Sequence, residues 1–177
     1  MHTDFTVVAA KKLLDGVPRF ARRPLAMVPF PLKSALIARV LGLILAGQAK
    51  EGELSFLEDK WVGIQVPDLA LAFEVGFDGR WLVREMGEQP PAVTFMAESK
   101  ELVLVAAGKE DPDTLFFQRR LCIEGDTELG LEVKNLLLSI EFAAMPLAIR
   151  FSIAKLAGAI LRLQDHANSK VITQPLY

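Results

Sequence analysis

The chain has 177 residues, 51% of them apolar, a formal net charge of −2 and a mean hydropathy of +0.31. That suffices for one domain with additions, burying roughly 70% of the surface of the unfolded chain, and it lies outside the disordered class. A single cysteine, Cys122, excludes an intramolecular disulfide, and the two histidines, His2 and His166, lie near opposite ends and form no His-rich metal cluster.

The first residues, MHTDFTVVAAKKLLDG, carry an acid early and two lysines after the apolar run. That order is the reverse of a secretory signal and leads to the expectation of a cytoplasmic protein. Residues 17–31, VPRFARRPLAMVPFP, hold four prolines and three arginines, which predicts a non-helical arm. From Pro31, LKSALIARVLGLILAGQA reads as a helix that is apolar nearly all round, either buried or laid against lipid, with Gly52 helping to end it. Charge interrupts the two longest apolar stretches, at Arg39 in the first and at Arg150, Lys155 and Arg162 in the second, so neither reads as a membrane span.

In LAFEVGF the apolar Leu71, Phe73, Val75 and Phe77 alternate with Ala72, Glu74 and Gly76, which predicts a strand with one buried face. Asp78-Gly79 supplies a tight primed turn and RWLVREM the returning strand. Pro90-Pro91 separates this hairpin from AVTFMA, a further strand. Ser99 is expected to cap the helix KELVLVAA, which Gly108 ends, and Asp111-Pro112-Asp113-Thr114 to form one capped helical turn.

LFFQRRLCI reads as a strand with Phe117, Arg119, Leu121 and Ile123 on one face and Phe116, Gln118, Arg120 and Cys122 on the other. Gly125 turns the chain, and Asp126 or Thr127 caps a helix that aligns Leu129, Val133, Leu136 and Ile140. A final helix from Pro146 carries the stripe Ile149, Ile153, Leu156, Ile160 and Leu163, with Leu147, Phe151, Ala154 and Leu161 beside it.

The strand, glycine and helix around Gly125 have the geometry of a phosphate turn, but Asp126 and Glu128 already supply the negative partner of the helix dipole. No G-x-S-x-G, H-E-x-x-H or carboxylate-rich metal loop is present, and Cys122 sits within an apolar run as a small hydrophobe. The carboxylate pairs Glu51/Glu53 and Glu98/Glu101 read as solvated, and Arg119 and Arg120 as the rim of an ion pair with a nearby acid. Acids outnumber bases by 22 to 20, and the only basic cluster, Arg19 to Arg23, lies in the proline arm, which weighs against nucleic acid. What stands out is apolar surface in excess of what a small sheet and two helices can bury, and that surplus must face a partner, a membrane or a ligand cavity.

The stretch DPDTLFFQRRL followed by IEGDTELGLEVKNLL resembles the sterol carrier protein lipid-binding family. PFPLKSALIARVLGLIL, EGELSFLEDKWVGIQVPDL and the FDGRWLV hairpin fit the same proteins, over about Pro29 to Glu141. Cys122 stands where an aliphatic residue would be expected. The resemblance implies an α+β fold, a mixed five-stranded sheet with helices over one side enclosing an apolar tunnel. With the arm and the tail read from their own patterns, the expected division is an N-terminal arm at residues 1–30, the lipid-binding domain at 31–141 and a C-terminal amphipathic helix and tail at 142–177, the last outside the resemblance.

Within that family the sequence looks most like accessory proteins of ubiquinone biosynthesis. The likeness implies a non-catalytic role without a cofactor, holding or presenting prenylated quinone intermediates or phospholipid. It points to the oxygen-independent branch and to partner hydroxylases of the UbiU and UbiV kind. The proline arm or the tail helix is the expected contact with the inner membrane. From pattern alone, the cavity wall is expected to draw on Phe73, Val75, Phe95, Phe117, Leu121, Leu129, Val133, Leu136 and Ile140. The rival readings are a scaffold subunit whose apolar surface binds another protein and an enzyme using a perturbed acid in the cavity.

Overall fold

The computed structural model describes residues 26–140 and 147–168. Most of the proline arm, Pro146 and His2 therefore lie outside the described residues. The elements are α1 (Phe30–Ile44), α2 (Ala46–Glu51), a 3-10 turn at Ser55–Leu57, β1 (Val62–Val66), a second 3-10 turn at Pro67–Leu69, β2 (Leu71–Phe77), β3 (Trp81–Glu85), β4 (Val93–Ala97), α3 (Ser99–Ala106), α4 (Pro112–Phe117), β5 (Leu121–Gly125), α5 (Thr127–Leu138) and α6 (Leu147–Asn168).

The five strands form one mixed sheet in the order β3-β2-β1-β4-β5, in which only β1 and β4 are parallel. The register puts Val62, Val75, Val83 and Val93 in one row and Ile64, Phe73, Phe95 and Ile123 in the next. Side chains alternate across a strand, so these rows share a face. That face meets α5, α1 and the 3-10 turn at Ser55–Leu57, and together they enclose the main apolar core.

The long N-terminal helix is shorter than its pattern suggests. Its backbone breaks at Leu45 (φ −106°, ψ 22°), whose side chain enters the core, and α2 then runs to Gly52 in the left-handed region at φ 77°. No residue of α1 is fully buried. The helix lies on β3 with Trp81 against Gly42 and leaves Leu32, Leu36 and Leu43 facing solvent, so it is neither interior nor enclosed.

Four further expectations are corrected. The β2–β3 connection is a three-residue loop, Asp78–Arg80, because Phe77 pairs with Trp81, and Gly79 alone takes positive φ (66°). β2 is covered on both sides, with Glu74 wholly buried on the face expected to be open. Ser99 is not the cap of α3 but its first residue, and the carboxylate that caps it is Asp68, which accepts from the Ser99 N–H at 3.0 Å and from its hydroxyl at 2.5 Å. The strand expected from Leu115 begins at Leu121, since Asp111 accepts from the Asp113 N–H and α4 continues through Phe117.

α6 docks on α3 through a second, smaller cluster in which Ala157 and Ile160 meet Leu104 and Ala107, flanked by Ile153 and Leu161. Leu156, placed on the packing stripe by its spacing, faces solvent, as do Leu147 and Phe151. The contact is centred on Ala157, a small residue that lets α3 approach, and the stripe is rotated accordingly.

Candidate functional site

Seven of the nine residues expected to line a cavity meet in the core: Phe73 and Val75 from β2, Phe95 from β4, Leu121 from β5, and Leu129, Val133 and Leu136 from α5. Ile140, just past α5, packs at its margin. Phe117 does not join them. It ends α4 with 81% of its surface exposed, because the chain is helical where an alternating strand was expected.

The start of α5 is fixed by three local devices. Gly125 adopts φ 113°, and a Cβ there would lie 2.4 Å from the Ala92 carbonyl oxygen. Asp126 donates its own N–H to that oxygen at 2.8 Å. Its Oδ1 accepts from the N–H groups of Glu128 (2.9 Å) and Leu129 (3.1 Å), so the helix is capped by its own carboxylate. Gly130 then lets the helix settle on the sheet, where an added Cβ would come within 3.0 Å of Ile123 Cγ2.

The interior so formed is electrically empty. The buried charged side chains among the described residues are Glu74 and Glu101, and both stand outside the core cluster. Glu74 lies on the sheet's second face, held by Arg84 at 2.6 Å and by the Gly87 N–H at 3.1 Å, with the guanidinium stacked on Trp61. Glu101, expected to be solvated, is instead buried against Arg120, which also reaches Glu110 at 3.4 Å. Burial alone would lower the Arg120 pKa, but hydrogen bonds and charge from Glu101 and Glu110 outweigh it and hold the pKa above the ordinary arginine value. Both pairs tie elements together and neither faces the apolar core. The core therefore offers no acid, base or nucleophile. What it can do is exclude water from hydrocarbon, at about 25 cal/mol per Å2 covered.

Pattern reading missed Leu45, Leu54, Leu57, Val62, Val93, Ala97 and Leu115, all within the core. Leu54 and Leu57 lie in an acid-rich segment, and their three-residue spacing was the only signal that they turn inward together.

Among the described residues no group of three or more His, Cys, Asp or Glu is placed to hold a metal ion, and no helix is long and apolar enough to cross a membrane. The profile of the SCP-2 sterol transfer family matches residues 40–138. The chain belongs to that family. It is 43% identical over 144 residues to the ubiquinone biosynthesis accessory factor UbiT of Escherichia coli K12, covering 81% of this chain and 82% of the relative. The factor of the same name from Escherichia coli O157:H7 matches to the same extent. Among solved structures, the UbiJ-SCP2 ubiquinone synthesis protein superposes with a TM-score of 0.52 at 20% identity, covering 64% of this chain and all of that one. That likeness is one of fold.

On this SCP-2 scaffold one mainly apolar surface concavity is a groove of about 340 Å3 between α4, β5 and the first turns of α5. Phe116, Phe117, Ile123 and Leu131 supply its apolar wall. Lys134 and Asp113, joined at 2.7 Å, tie α5 to α4 along it. A shallower cleft of about 460 Å3 lies where α1 meets the β2–β3 loop, with Arg39 and Arg80 on its sides.

Proposed function

We propose that this protein is a non-catalytic lipid-binding accessory factor of ubiquinone biosynthesis, which holds prenylated quinone intermediates, or phospholipid, in the apolar space between sheet and helices. The observation that carries the reading is the 43% identity, over four fifths of the chain, to factors named for that pathway. The absence of charge from the core cluster supports it, since a polyisoprenoid needs walls and no catalysis. On this reading Phe73, Val75, Phe95, Leu121, Leu129, Val133, Leu136 and Ile140 move apart around the ligand, each giving up contact with its neighbours for contact with hydrocarbon.

The same reading assigns the protein to the oxygen-independent branch, working beside hydroxylases of the UbiU and UbiV kind in the cytoplasm and touching the inner membrane peripherally. The domain that does this spans residues 31–141. Mass spectrometry of the organic extract of native protein tests the core of it. Recovery of a prenylated phenol, quinone precursor or phospholipid is expected, whereas lipid-free protein that also fails to bind a prenylated phenol would overturn it.

A scaffold role has one observation in its favour, the solvent-facing Leu36, Phe117, Phe151 and Leu156 on separate helical segments or faces. A stably co-purifying protein whose affinity is indifferent to Leu136→Asp distinguishes it from the carrier.

A further inference from the structure

The carrier reading gives the hydrocarbon tail a place but assigns none to the ring that a modifying enzyme must reach. The groove between α4 and α5 has three properties that an exposed apolar patch need not combine. Its volume, about 340 Å3, falls in the range of small-molecule sites. Its wall holds an aromatic pair, Phe116 and Phe117, with ring centroids 5.9 Å apart, and Leu131 lines the same groove. It also carries the ammonium of Lys134, which has three donors, of which the contact with Asp113 uses one.

The inner wall decides the case. Ile123 lines the groove and at the same time packs against the buried core, so one side chain is shared by the open cleft and the interior. Ile123 belongs to β5, an edge strand, where the sheet-and-helix sandwich ends. A purely aliphatic ligand would use the interior and ignore Lys134, and a polar metabolite would gain nothing from Phe117 and Leu131. An amphiphile with an oxygenated ring and a long tail uses all of them.

We propose that this groove is the head-group site: the ring of a prenylated phenol or quinone lies against Phe117 and Leu131, its oxygen accepts from Lys134, and its tail passes Ile123 into the core. The ring is then presented at the surface while the tail stays out of water. The proposal rests on the carrier reading, and its test separates the two.

The full chain is titrated with two probes, a geranylgeranyl-substituted phenol and geranylgeraniol, which shares the tail and lacks the ring. Phe117→Ala and Lys134→Met are compared with the parent protein, with thermal midpoints recorded alongside; Phe117 is mostly exposed, so its removal spares the fold. Each variant is expected to weaken the phenol about 5- to 10-fold, roughly the loss of one good contact, and to leave geranylgeraniol unchanged. Equal weakening of both probes, or no change with either, overturns the head-group site while leaving the carrier reading intact; the second pattern is also what a groove reserved for a protein segment would give. If the parent protein binds neither probe, the carrier reading itself fails and takes the proposal with it.

Discussion

Arg84 closes over Glu74 from the neighbouring strand: two of its guanidinium nitrogens, Nε and Nη2, reach the same carboxylate oxygen at 2.6 Å, and Glu74 has no exposed surface. The carboxylate's other oxygen accepts from the Gly87 N–H, so the pair also fastens the loop after β3 onto the second face of the sheet. Removing one partner strands a buried charge. Arg84→Ala is expected to cost about 3 kcal/mol, at the low end for buried pairs because Arg84 is half exposed and water can replace it in part. Replacing both together, as Glu74→Leu with Arg84→Met, should recover most of that loss. Urea denaturation of the two variants checks the difference, and equal losses would show that the pair is not coupled.

A second buried acid is also held by an arginine. Arg120, on the turn before β5, holds Glu101 of α3 in a buried contact and has a raised pKa. A raised pKa stabilises the fold at every pH below the ordinary arginine value, and that share is lost only as pH climbs past it. Between pH 6 and 9 the arginine therefore contributes no slope. Arg120→Met should lower stability by about 3 kcal/mol at pH 7 by leaving Glu101 unpaired. Glu101→Gln, which keeps a hydrogen-bonding side chain without the buried charge, should lose less, a ranking that thermal melts at pH 7 decide.

These two acids also mark where sequence reading stopped. Alternation placed Glu74 correctly opposite Phe73 and Val75, but nothing in the local pattern told that the Met86–Pro91 segment would fold back near it, where Pro91 Cγ and Met86 Cε crowd Gly63. Glu101 looked like one more surface acid because its partner is 19 residues away. The wall residues on β2, β4 and α5 were legible since a period of two or of three to four survives burial. Phe117 was misplaced because DPDT announces a helix start and says nothing of its length, while LFFQRRLCI alternates well enough to pass as one strand. The residue that separates them, Arg119, takes φ 59° without being glycine, so the turn carries no glycine to announce it.

Asp68 caps α3 across 31 residues of sequence, with its carboxylate on the Ser99 N–H and hydroxyl. Asp68→Ala is expected to cost about 1 to 2 kcal/mol, the usual loss of a helix cap, and Ser99→Ala distinctly less, because the N–H contact survives. A melt series on the two single variants and the double variant checks it, and the double should lose no more than Asp68→Ala alone.

Gly125 carries more than a turn. At its φ of 113° a Cβ would stand only 2.4 Å from the Ala92 oxygen, which leaves no room for a side chain, and the next residue is the cap of α5. Gly125→Ala should therefore cost about 3 kcal/mol through strain at that position, against about 1 kcal/mol for Asp126→Ala, which removes only the cap. If the carrier reading holds, Gly125→Ala should also weaken binding of a prenylated phenol, since Leu129 and Val133 ride on the helix it positions. Parallel stability and binding measurements on the two variants test both statements.

Among the described side chains, the apolar contact that docks α6 forms a small cluster of its own, apart from the main core. Ala157 and Leu104 are both completely buried against each other's helices, whereas Leu156, one residue away, is half exposed. Ala157→Leu must force three further carbon atoms into that seam and should cost about 1 to 3 kcal/mol, while Leu156→Ser should stay within about 0.5 kcal/mol of the parent protein. The main core lies in a different cluster and has no share in the seam, so Ala157→Leu should loosen α6 without lowering protection elsewhere. Amide hydrogen exchange resolves this: faster exchange confined to α3 and α6 is the expected result, and uniform loss of protection across β1 to β5 would mean that the last helix is an integral part of the domain's core.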